Sequence, residues 1–228
     1  MISPAATQSK TLMLKRALDL ILCVVALPLA IPVLAACAIA IRLTSHGPVL
    51  FRQKRLAKHG STFEVLKFRS MYVNAPDLRN PDGSTWNGAD DPRVTRAGKW
   101  LRRTSLDELP QIFNILRGEM SVVGPRPDVP DAVRHYRPQD RARLTVKPGV
   151  TGWAQVHGRN ALSWALRRDY DLEYVAMASL WLDIRIMLRT VPLVLFGKGV
   201  FVGEVPHAEP EDPSEPHASR TAEMSERR

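Results

Sequence analysis

The chain has 228 residues, which gives room for one ordinary domain with a real core. Its 32 Lys+Arg against 23 Asp+Glu make a formal charge of +9, and residues 204–228 hold seven acids and three bases, leaving residues 1–203 near +13. A body this basic expects an anionic partner, whether nucleic acid, an anionic membrane surface or a phosphorylated substrate. Its two cysteines, Cys23 and Cys37, exclude a disulfide framework and a metal-spacing motif.

The first element in chain order is apolar. "LDLILCVVALPLAIPVLAACAIAIRL" covers Leu18 to Leu43, with no charged residue from Leu20 to Ile41. Roughly 20 apolar residues suffice to cross a bilayer. The run is too long for a cleaved signal peptide, and no polar cleavage region follows it. Pro28 and Pro32 lie near its middle, where each removes a helix hydrogen bond and crowds the preceding turn. Both flanks are basic: Lys10, Lys15 and Arg16 precede the run, and Arg42, Arg52, Lys54 and Arg55 follow it. Little charge asymmetry remains to orient a span. Two readings stand. One is a helix-break-helix hairpin that enters and leaves by the cytoplasmic face, with arms of about 12 residues, roughly 18 Å, too short for about 30 Å of hydrocarbon. The other is a Pro-kinked spanning helix.

Short β-rich runs follow at Val49–Phe51 and Thr62–Phe68, split by a turn at Gly60, and predict a small hairpin. Residues 74–91 are rich in Asn, Asp, Gly and Pro and predict a long loop. Helical periodicity returns at Gly98–Arg103 and Leu109–Arg117. "GPRPDVP" is a proline-locked loop, Asp131–Leu144 reads as a polar helix, and "KPGVTGWAQVHGRN" is rich in turns. Ser163–Met177 is again helical. From Leu180 to Phe196, Leu180, Ile184, Met187, Leu188 and Val191 form an apolar stripe interrupted by Asp183, Arg185 and Arg189. That pattern suits either a core helix or one in a membrane interface with Trp181 as an anchor. Pro192 is expected to kink or end it. Residues 203–228 have too little apolar content for a core and are expected to be a disordered acidic tail.

The chemistry centres on "TSLDELPQIFN", Thr104 to Asn114. "SLDE" fits a capping box, with Ser105 as N-cap and Glu108 reaching back. Adjacent helical residues also point about 100° apart, so Asp107 and Glu108 can serve different targets, one as nucleophile and one as metal ligand. Potential phosphate binders lie elsewhere in the chain: Lys67 and Arg69 in "KFRSM", Arg126 in "PRP", Lys147 before Pro148-Gly149, and Arg159 in "GRN". Each is by itself an ordinary surface charge. Arg126 is the exception, because two prolines have already ordered its backbone. There is no Walker loop, dinucleotide fingerprint, Ser-His-Asp signature or zinc pattern.

The ordered series "KRALDL", "GPVLFRQKR", "FEVLKFRSM", "DPRVTRAGKWLRRTSLDELPQIFNILRGEMSVVGPRP", "VKPGVTGWAQVHGRN", "YDLEYV" and "SLWLDIRIM" resembles the bacterial sugar transferases known as monotopic phosphoglycosyl transferases, over about residues 12–202. The resemblance implies an α+β, mainly helical fold. An N-terminal extension, residues 1–11, would precede a membrane-inserted hairpin at 12–43 and a cytoplasmic catalytic domain at 44–202. It implies transfer of a sugar-1-phosphate from a UDP-sugar to polyprenyl phosphate, with release of UMP, as the first membrane step of glycan assembly. Carried over, Asp107 is the nucleophile and Glu108 helps hold Mg²⁺. Lys67, Arg69, Arg126, Lys147, Arg159 and Asp171 become substrate-binding candidates, and the basic surround is expected to keep the Asp107 pKa low. The hairpin break falls at Pro28 and Pro32, although Ile31 stands where the family usually has serine. The expected partners are UDP-sugar, polyprenyl phosphate and membrane lipids, with no nucleic acid and a homo-oligomer left open. "GRNALSW" hints at an acetamido sugar. The rival classes are a basic nucleic-acid-binding protein and a membrane-anchored scaffold without activity.

Overall fold

The computed structural model describes residues 4–78, 88 and 90–196. The expected acidic tail, and most of the loop expected between Asn74 and Asp91, therefore lie outside the described residues.

The first helix, α1, runs from Pro4 to Thr44. The expected extension over residues 1–11 is thus helical from residue 4 onward and continuous with the apolar run. Pro28 and Pro32, where the break is expected, both sit inside this one helical element. Each proline removes a single N–H donor, and neighbouring side chains hold the helix on both sides of the pair. Asp19, Cys23, Ala30, Cys37 and Ile41 are buried, at helical spacings that make one seam. Cys23 and Ala30 share a cluster with Phe63, Val65, Ile112, Ile115 and Met120, and Cys37 and Ile41 share another with Phe68 and Leu101. The opposite face exposes Ile21, Val24, Val25, Leu29, Ile31, Ile39 and Leu43.

Polar ties fasten the start of α1 to the body. Asp19 Oδ1 accepts from the Ser121 hydroxyl and the Val122 amide, each at 3.0 Å. Lys15 donates to Val123 O and to Asp183. Arg16 donates to Ile115 O and Leu116 O.

The hairpin pairs β1 (Leu50–Leu56) with β2 (Thr62–Phe68), antiparallel, with Leu50 opposite Phe68. The first strand extends past Phe51 because its polar residues still have partners across the pair. Helix α2 (Arg96–Arg103) is capped by Thr95, whose hydroxyl accepts from Gly98 N. A Cβ on Gly98 would stand 1.9 Å from Ser70 O, so only glycine lets α2 meet the segment after β2. Helix α3 (Gln111–Arg117) docks on the open edge of β2. Its buried Asn114 accepts from Leu66 N and donates to Glu64 O, replacing a missing strand.

A second two-stranded sheet forms where the sequence predicts only turns and loop. Strand β3 (Ser121–Val123) pairs in parallel with β4 (Gly149–Thr151). The turn-rich "KPGVTG" enters it because its glycines permit close backbone approach. A Cβ on Gly149 would lie 2.1 Å from Gly124 N. The polar helix expected over Asp131–Leu144 is two 3₁₀ segments, Pro130–His135 and Pro138–Thr145. Pro138 holds Arg137 extended (φ −66°, ψ 157°), which breaks the helix there.

The chain then forms α4 (Trp153–His157), α5 (Trp164–Met177) and α6 (Leu180–Leu195). Pro192 lies inside α6 rather than ending it. Leu182, Asp183 and Ile186 are the buried side of α6. Trp181, Ile184, Leu188 and Val191 face outward, while Leu180 is half-buried and Met187 packs against the core beside Ile186, so the predicted stripe divides between the exposed face and the core. The architecture is mainly helical with a small sheet component, as expected.

Candidate active site

Asp107 and Glu108 lie on a 3₁₀ turn, Leu106–Glu108, between α2 and α3. Ser105 does not cap it. Its φ is +57°, its side chain makes no capping bond, and its hydroxyl instead accepts from Arg159 at 2.9 Å. The capping-box reading is therefore overturned: a left-handed N-cap points the hydroxyl away from the turn's amides.

Glu108 is held by two cations. Its Oε1 accepts from Lys67 Nζ and from an Arg126 guanidinium nitrogen, each at 2.8 Å. Strand β2 supplies Lys67, and the loop after β3 supplies Arg126. Together they hold the Glu108 carboxyl well below the usual carboxylate range, against the opposing effect of burial. Glu108 Oε2 makes no hydrogen bond among the described residues.

Asp107 behaves differently. It makes no hydrogen bond or ion pair among the described residues. Burial, and next the charge of Glu108, push its pKa up from 3.8 to about 6. The basic surround was expected to keep it low. Lys67, Arg102 and Arg126 do pull downward, but desolvation and the neighbouring carboxylate outweigh them. The site thus separates two adjacent acids: one paired and firmly ionised, one unpaired and poised.

Of the other predicted residues, Arg159 joins the site through Ser105. Arg69 does not. It is buried, and its three guanidinium nitrogens donate to Pro48, His46 and Ser45 carbonyls, tying down the exit from α1. Lys147 stands beside Arg16 across Gly118, away from the carboxylate pair. Asp171 is fully buried and accepts twice from Arg143, which also pairs with Asp128 and donates to Arg126 O. Asp171 therefore supports the loop that carries Arg126 from behind.

Two further arginines, which local sequence does not distinguish, lie near the acid pair or its cations. Arg102 donates to the Ser70 hydroxyl at 2.9 Å, and its charge acts on Asp107. Arg167, on α5, lies in the field of Arg126. Each belongs to an Arg-Arg pair, with Arg103 exposed and Arg168 bonded to Asp140. Helical phase separates the members of such a pair, and sequence does not say which one faces the site.

Two carboxylates beside several cations suit a substrate that brings its own phosphates. Mg²⁺ is usually held by one or two carboxylates together with substrate phosphates and water, and the uncommitted Glu108 Oε2 fits that pattern. No cluster of three or more metal-ligating side chains occurs among the described residues.

The model of the bacterial sugar transferase family matches residues 10–197. The chain belongs to this family. It is 44% identical over 203 residues to an undecaprenyl-phosphate glucose phosphotransferase of Komagataeibacter xylinus, covering 82% of this chain and 37% of that protein. It is 40% identical to a UDP-N-acetylgalactosamine-undecaprenyl-phosphate N-acetylgalactosaminephosphotransferase of Aeromonas hydrophila, covering 82% and 44%. It is 39% identical to the sugar transferase EpsL of Bacillus subtilis (strain 168), covering 83% and 91%. The chain spans about two fifths of the first two relatives. Those two are named for different sugars, so the acetamido hint in "GRNALSW" gains no support from them.

Proposed function

We propose that this family member transfers a sugar-1-phosphate from a UDP-sugar to polyprenyl phosphate through a covalent ester on Asp107. The observation that carries this reading is the asymmetry of the acid pair. Among the described residues Asp107 has no partner to displace and its pKa is pushed up to about 6, while Glu108 is clamped by Lys67 and Arg126.

In the first half-reaction an Asp107 oxygen forms a bond to the phosphorus that bears the sugar. The bond from that phosphorus to the bridging oxygen breaks, and UMP leaves with the electron pair. Arg126, Lys67 and Arg159 orient the diphosphate and stabilise charge on its oxygens. Glu108 would hold Mg²⁺ through Oε2; when bound, the ion neutralises diphosphate charge and polarises the phosphoryl oxygens. In the second half-reaction an oxygen of polyprenyl phosphate attacks the same phosphorus. The Asp107 oxygen–phosphorus bond breaks and the carboxylate is restored. One site handles both phosphate substrates in turn, which explains a single carboxylate pair set among several cations.

The same reading places the chain on the cytoplasmic membrane face without spanning. Thr11–Thr44 is long and apolar enough to cross a bilayer. Yet the body contacts α1 from Lys15 to Ile41, and Asp19 to Ile41 alone is about 33 Å of helix. A crossing would drag charged β2 and α2 into the hydrocarbon. The exposed faces of α1 and α6 supply the membrane contact instead.

The deciding experiment incubates the protein in nanodiscs with a panel of UDP-sugars. UMP release that requires polyprenyl phosphate, together with exchange of labelled UMP into UDP-sugar without it, is expected. Full turnover with no exchange, and no sugar-phosphate adduct on Asp107, would point to direct attack by the lipid phosphate.

A further inference from the structure

Arg167 is the charged residue near the site whose environment leaves it least explained. It lies in the first turn of α5, where its amide bonds to Ser163 O. Its side chain is half-buried, and its only hydrogen bond among the described residues is a long one, 3.4 Å to the carbonyl of Arg159. It makes no ion pair there. Of the nearby carboxylates, Asp128 is committed to Arg143 and Tyr136, and Asp171 gives its Oδ2 to Arg143, while its buried Oδ1 bonds neither Arg167 nor any other described residue.

Its other neighbours make the position worse. Burial lowers the guanidinium pKa, and the charges of Arg126 and Arg143 push the same way, against Asp128 and Asp171. A buried cation among cations is costly unless an anion joins it. Its adjacent residue Arg168 has solved the same problem, bonding to Asp140 and to the His135 carbonyl. Arg167 has no such answer within the described chain.

Its location indicates where the anion would come from. Arg167 touches the Arg159 backbone, Arg159 bonds to Ser105, and Ser105 begins the turn that carries Asp107 and Glu108. The guanidinium therefore lies on the site side of α5, next to Arg126.

We infer that Arg167 binds the donor's diphosphate, forming with Arg126 and Arg159 a three-arginine subsite in which Arg167 is the member with no ion pair among the described residues. This rests on the donor reading above and adds a residue to it. The guanidinium is suited to the role, since it can offer two parallel donors to phosphate oxygens.

The test uses the full chain in nanodiscs, with UDP alone as the probe so that transfer is not required. The variants are Arg167→Ala and Arg167→Lys. Loss of a charge-assisted hydrogen bond predicts UDP affinity weakened roughly ten- to a hundred-fold in the alanine variant, with partial rescue by lysine. The thermal midpoint without nucleotide should stay level or rise, because an uncompensated cation has gone. A structural residue would behave oppositely, with the midpoint falling. Equal UDP affinity in wild type and Arg167→Ala overturns the inference. So does a lower midpoint in the alanine variant that lysine restores without restoring affinity. If wild type binds UDP through Arg167 but releases no UMP from any UDP-sugar, the transfer reading fails and the subsite stands.

Discussion

Arg159 donates a 2.9 Å hydrogen bond to the hydroxyl of Ser105, and both residues are left-handed, with φ of +52° and +57°. Neither is glycine, so each carries about 1 kcal/mol of backbone strain. The pair joins the segment after α4 to the turn that holds the two acids. Strain of this kind persists only where the surroundings over-determine it. Ser105→Gly relieves the strain and removes the hydroxyl, whereas Ser105→Ala removes the hydroxyl and keeps the strain. The glycine variant should be the more stable by about 1 kcal/mol in thermal or chemical denaturation. Both should lose turnover, because Arg159 loses its tie to the turn that carries the two acids. Wild-type turnover in the two variants would remove this contact from the mechanism.

Asp107→Asn should abolish labelled-UMP exchange while leaving the fold intact, since an amide oxygen is a poor nucleophile. Its stability should depend on pH in a defined direction. The folded carboxyl titrates at about 6 against 3.8 as its ordinary value. Ionisation is therefore disfavoured in the fold, and the resulting destabilisation is absent below 3.8 and complete above about 6. The asparagine variant should gain on wild type as pH rises through that window. Denaturation curves at the two ends of the window test this.

The pH profile of kcat/KM reports the free enzyme, and its acidic limb should fall near the Asp107 pKa of about 6. Arg102 pulls that pKa down, so Arg102→Ala should move the limb to higher pH. An unmoved limb would assign it to another group.

Asp171→Ala should destabilise by about 3 kcal/mol, because it strips a buried arginine of an acceptor. Asp171 is 0% exposed. Activity should fall with it, as Arg143 also holds the Arg126 carbonyl. The contrast with Arg167→Ala, where stability holds and UDP affinity drops, separates support of the site from contact with substrate.

Cysteines placed at Ser9 and Ser45, on either side of the apolar run, should both resist a membrane-impermeant reagent in intact cells. One labelled and one protected would mean that α1 spans.

Much of this protein was legible in its residues alone. The apolar run, the hairpin about Gly60, and the helices at Ser163–Met177 and Leu180–Phe196 announce themselves locally, through periodicity and turn chemistry. Asp107, Glu108, Lys67 and Arg126 stand out as candidates in the sequence. What needed the tertiary structure was everything set by distance through space. Arg69 and Arg126 are both candidate phosphate binders by sequence, and packing sends one to three carbonyls and the other to Glu108. The β3–β4 pair joins segments 28 residues apart, through glycines that local reading takes for turns. The pKa of Asp107 is the clearest case. The charge count around it says low, but the cost of burial grows as water is removed, and only the folded chain determines how much water remains.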